Sequence, residues 1–173
     1  MSNLRGFFDY LKIQHNISAT YARTILKTYP EFILQNRRDL LAKKVNLILK
    51  NSPNRTECYI RNLIKRHPDL LMKSYASMEA KINYVKRNLN RQLHKERCFP
   101  LMLHLSYTEH IWPRCELLLQ SGNKHFDLEA ALTGSDKEFC ARFGLDVEQL
   151  EQKRASRKQI EEKDKLWVYV PGI

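Results

Sequence analysis

Ile25-Leu26-Lys27-Thr28-Tyr29-Pro30-Glu31-Phe32-Ile33-Leu34 and Leu63-Ile64-Lys65-Arg66-His67-Pro68-Asp69-Leu70-Leu71-Met72 match around a shared proline. A third frame, Arg97-Cys98-Phe99-Pro100-Leu101-Met102-Leu103, is looser before its proline. The agreement runs on downstream: Lys43 and Lys81 stand thirteen positions after Pro30 and Pro68, and Leu47, Val85 and Leu117 stand seventeen after the three prolines. The frames are spaced 68 − 30 = 38 and 100 − 68 = 32 residues apart, which suits one helical pair per repeat, a unit that hides its apolar stripe only by stacking on its neighbours.

Proline cannot continue a helix and turns the preceding residue away from the α region, so each frame predicts a helix end. Ser18 is placed to cap the helix running to about Thr28, Asn54 with Glu57 reads as a capping box for the helix before Pro68, and Ser106 with Glu109 repeats the arrangement after Pro100. After Pro30 the apolar turn Phe32-Ile33-Leu34 leads to a second helix, Arg37 to Lys50, whose buried side is Leu40, Leu41, Val45, Leu47, Ile48 and Leu49. The unit is helix, turn, helix, and with five Gly and six Pro in 173 residues the fold class expected is all-α, a solenoid of such repeats.

Charge divides the chain in two. Residues 1–125 hold 22 Lys and Arg against 9 Asp and Glu, a balance of 22 − 9 = +13, whereas residues 126–173 hold 8 against 10, or −2. The expected domains are therefore basic repeats over 1–125 and an acidic helical tail over 126–173. In the tail Ser135 with Glu138 forms another capping box, Gly144 ends a helix, and Asp146 to about Lys163 forms a charged one. Leu166 to Pro171 reads either as a short extended segment docked on the body or as a frayed end. The tail caps the last repeat or offers a surface to a protein partner.

A basic excess confined to the repeats points to a polyanion. Phosphate contacts need Lys and Arg at a repeating pitch. The candidates are the in-register Lys43 and Lys81, their neighbours Arg37, Arg38, Lys44, Arg87 and Arg91, the pre-proline Lys27, Lys65 and Arg66, and Arg114. Tyr59, Tyr75, Tyr84 and Tyr107 read as packing residues, and none is assigned to base stacking. Cys58, Cys98, Cys115 and Cys140 contain no C-x-x-C pair, so they are read as free thiols; with His104 and His110 they match no metal-ligand spacing, and no metal or cofactor is expected. No nucleophile elbow, P-loop, dinucleotide fingerprint or H-E-x-x-H motif occurs, so the chain is read as a binding protein and not an enzyme. No apolar run reaches the length of a membrane span, and residues 1–16 lack a secretory h-region and make a poor organelle presequence.

The proline-framed repeat, together with Phe99 to Gly122 and its Pro113-Arg114 pair and with Gly134-Ser-Asp-Lys-Glu-Phe139, resembles the mitochondrial transcription termination factors, the mTERF family. The resemblance runs from about Ile17 to Gly144 and covers what looks like the C-terminal half of such proteins. It implies a superhelix whose basic concave side follows double-stranded DNA, acting in mitochondria on transcription termination or initiation, with some members binding ribosomal RNA instead; the chain itself is expected to be a monomer. An RNA-binding assembly factor or a protein-interaction scaffold of the same fold are the alternatives.

Overall fold

The computed structural model describes residues 2–32, 38–52 and 56–167, the side chains of 2, 3, 38 and 160–167 apart. Among them every regular element is helical. The α-helices are α1 (Ser2–His15), α2 (Ala19–Thr28), α3 (Arg38–Asn51), α4 (Glu57–Arg66), α5 (Tyr75–Asn83), α6 (Trp112–Gln120), α7 (Leu128–Leu132), α8 (Asp136–Phe143) and α9 (Val147–Trp167). They fall into two compact units, Met1–His104 and Leu105–Ile173. This boundary lies ahead of the charge boundary at 125/126, because α6 packs along α9 and so joins the acidic tail.

In the first unit the prolines act as expected. Ser18 accepts from the Tyr21 N–H at the start of α2, and the helix closes at Tyr29 just before Pro30. α4 closes at His67 before Pro68, but its cap is Thr56, which accepts from the Tyr59 N–H; Asn54 lies outside the described residues. Each of the two later prolines leads into a 3₁₀ turn, Pro68–Met72 and Leu101–His104, and the two turns touch. α3 matches the predicted second helix to within a residue at each end, with Leu41, Val45 and Ile48 fully buried.

Two features depart from expectation. Helix α1 is not among the expected elements; it packs on α2, α3 and α4, with the Phe7 ring edge-on to Phe32 at 5.4 Å. Its end is set by Asn16 in the left-handed region (φ 49), which lets the Ile17 N–H return to the Leu11 carbonyl. The third frame, meanwhile, has no long helix before its proline, only the short 3₁₀ segment Leu93–Lys95. Six residues fewer than in the preceding repeat leave no room for one.

In the second unit Ser106 accepts from the Glu109 N–H and starts a π-type turn, Tyr107–Ile111, that runs into α6. Glu109 does not complete the box; its carboxylate faces Arg154 and Lys158 on α9. The Ser135/Glu138 capping box is complete, and Gly144 (φ 65) closes α8. α9 extends to Trp167, so Leu166 is helical, while the end of the apolar segment lies outside the described residues.

Candidate nucleic-acid interface

Three of the expected phosphate contacts are corrected by their burial. The Lys44 side chain is 1% exposed and its ammonium donates to the Leu71 carbonyl at 2.7 Å. Lys81, 3% exposed, donates to the Leu103 carbonyl at 2.8 Å. Both acceptors stand three residues after a proline, in the 3₁₀ turn of the next repeat. Arg114, 1% exposed, donates to the Ala131 and Gly134 carbonyls and to Asp136 Oδ1 at 2.8 Å. Counted from Pro30, Pro68 and Pro100, these cations stand at +14, +13 and +14. The structural register thus pairs Lys44, not Lys43, with Lys81. Each cation reaches forward along the chain and satisfies backbone carbonyls that water cannot reach.

Burial sets their acid–base behaviour. Desolvation lowers the Lys44 pKa, and desolvation with the neighbouring Lys73 pushes Lys81 down to about 8. Asp136 is drawn down to about 2 by the hydrogen bond from Arg154, assisted by Arg114.

The remaining candidates lie elsewhere. Lys27, Lys43, Arg66 and Arg87 are exposed. Lys65 is half-buried, with its ammonium 5.3 Å from the centre of the Tyr21 ring, whose hydroxyl donates to the Lys65 carbonyl. Arg91 is half-buried and ion-paired with Glu96 at 3.2 Å. Arg37 and the Arg38 side chain lie outside the described residues.

Two hollows of the first unit collect basic groups. The more polar, about 590 Å³, is lined by Lys50, Asn51, Lys86, Asn90, Arg91, Gln92, Leu93 and His94. Its form is local. The π-type segment Tyr84–Asn88 is closed by the Leu89 and Arg91 N–H groups returning to the Tyr84 and Val85 carbonyls, with Asn90 left-handed at φ 51. That closure brings Arg91 into the same hollow as Lys50, which lies in the last turn of α3. The other hollow, about 300 Å³, has an apolar floor of Leu63, Phe99, Pro100 and Leu101 and a rim of Tyr59, Arg66, His67 and Arg97.

Lys50, Lys86, His94 and Arg97 were not among the expected residues. A signal existed for the first two, since both close the second helix of a repeat, where a cation also meets the negative end of the helix dipole. Of the tyrosines, Tyr84 is buried, Tyr59 lines the smaller hollow, and Tyr107 lies under the Arg157 guanidinium at 5.4 Å. No described helix is long and apolar enough to cross a membrane.

No curated protein and no solved structure matches the chain. The mTERF family model does match, over residues 2–140, a span that holds all three proline frames, the three buried cations and both basic hollows. A match across that much of 173 residues, on this repeat architecture, establishes that the chain belongs to the mTERF family.

Proposed function

We propose that this chain is a nucleic-acid-binding repeat protein that grips the backbone of double-stranded DNA and regulates mitochondrial transcription. The polar hollow carries the reading: it is lined by Lys50 from one repeat and by Lys86 and Arg91 from the next, together with Asn51, Asn90 and Gln92 as neutral donors. Lys and Arg flanked by amide side chains is the group that phosphate and sugar oxygens require. Lys43, Arg66, Arg87 and Arg97 extend the exposed positive surface. The repeats stack in this reading as a solenoid with its basic side to the duplex, and the chain acts as a monomer and without catalysis. Family membership supports nucleic acid as the partner and an organelle as the compartment.

The test is fluorescence anisotropy of the purified chain with labelled duplex DNA, structured RNA and single strands of equal length, at low and physiological salt. Tight, salt-steep duplex binding above the RNA signal is the expected result. A preference for RNA would transfer the reading to ribosome assembly, and no binding to any of them would overturn it in favour of a protein partner.

A further inference from the structure

His67, Asp69 and His104 lie far apart in sequence, yet the fold gathers them. His67 is the residue that closes α4 and opens the 3₁₀ turn Pro68–Met72; Asp69 is in the first turn of that segment; His104 ends the next 3₁₀ turn, Leu101–His104. The contact between the two turns brings one ligand-capable atom from each residue within 4.8 Å of the others. His104 Nδ1 stands 3.1 Å from Asp69 Oδ2, and the two imidazole rings lie 5.9 Å apart at 62°.

We propose that these three side chains form a zinc site that clamps the post-proline turns of successive repeats. Two ligands on one tetrahedral zinc ion, each about 2.1 Å from it, stand about 3.4 Å apart. The His104–Asp69 pair is already near that separation, and His67 brings its ligand atom within 4.8 Å of both. His104 Nδ1, the ring nitrogen that faces the Asp69 carboxylate, is the atom placed to hold the ion; the buried Nε2, which has no hydrogen-bond partner, lies on the other side of the ring and takes no part. Burial, together with His67, Lys73 and Lys81, lowers the His104 pKa against the opposing pull of Asp69.

The donor set chooses the ion. Two imidazoles and one carboxylate suit zinc, whereas magnesium and calcium call for oxygen ligands throughout. Asp69 supplies a negative charge against the two neighbouring ammonium groups, and the fourth position is left to water. His67 also lines the smaller hollow, which gives the ion a path from solvent. The inference does not depend on which nucleic acid the chain binds.

The experiment titrates the full chain, stripped of metal and with its thiols reduced, with Zn2+ by calorimetry and native mass spectrometry, and with Co2+ by optical absorption. One ion per chain is expected, with a melting temperature that rises until that ratio is reached. The Co2+ spectrum should show weak ligand-field bands without the intense thiolate charge-transfer band that Cys58 or Cys98 would produce. His67→Gln, Asp69→Asn and His104→Gln should each weaken Zn2+ binding by at least about tenfold, and Cys58→Ser/Cys98→Ser should leave it unchanged. Failure to take up Zn2+, a thiolate band with Co2+, or binding that survives His67→Gln/His104→Gln would overturn the site. A thiolate band, or failure of the unsubstituted chain to take up one Co2+ ion, overturns the site even if a histidine variant fails to fold.

Discussion

A lysine on a helix looks the same in sequence whether it meets water, a phosphate or a buried carbonyl, and the +13/+14 cations show what decides among these. Lys43 and Lys44 are adjacent, so they point about 100° apart around α3, one into solvent and the other onto the Leu71 carbonyl. Lys44→Ala removes a packed four-carbon stem and orphans that carbonyl, and should cost about 2 kcal/mol or more, read by urea denaturation. Lys43→Ala should leave stability within about 0.5 kcal/mol and lower the salt slope of duplex binding by about 0.9. For Lys81 the signature is pH. The folded chain releases this proton near pH 8, against 10.5 for an ordinary lysine, so between those values the unfolded chain binds more protons and stability rises with pH. In Lys81→Met that rise should be missing when denaturation is followed from pH 8 to 10. Caps were legible at this scale, as at Ser18 and Ser135, because a cap is decided within three residues. The buried cations were not, since their acceptors lie 17 to 27 residues further on.

At the scale of elements, the ends of α2 and α4 were readable because proline forbids continuation, whatever the tertiary context. The lost helix before Pro100 was hidden, since its frame kept the proline and the downstream apolar positions while the residues before it no longer repeated. The second unit is held by an ionic junction the sequence did not disclose. Asp136, at the start of α8, takes Arg114 from α6 and Arg154 from α9 at 2.8 Å each. Asp136→Asn leaves a buried guanidinium without its counter-charge, and a loss of about 3 kcal/mol is expected by thermal or chemical denaturation. The folded-state pKa near 2 lies below the ordinary 3.8, so this contribution is present above about pH 4 and disappears as pH falls towards 2. Acid titration of the wild type should show that loss, and the Asn variant should lack it. Deleting residues 146–173 removes Leu150, which is fully buried, and Arg154 with it. The truncated chain should melt lower and aggregate; unchanged melting would sink the idea that α9 caps the unit.

For the molecule as a whole, the formal charge of +11 at pH 7 is the property most easily read from the sequence, and it says little about where a polyanion is touched. On the proposed reading, the polar hollow makes that specific. Lys50→Ala/Lys86→Ala should reduce the salt slope of duplex binding by about 1.8 if each cation holds one phosphate, with far-ultraviolet circular dichroism and melting unchanged. Lys44→Met, which keeps the stem and removes a charge of the same sign, should leave the slope where it is. A matching loss in both variants would mean that binding follows net charge and not this hollow.

The cations at +13 and +14 also bear on how related chains are compared. A position that is basic in repeat after repeat is ordinarily taken as the imprint of a ligand. Here the acceptors of Lys44 and Lys81 are carbonyls of the following turn, so a base at that place answers a need of the fold and is not by itself the sign of a ligand.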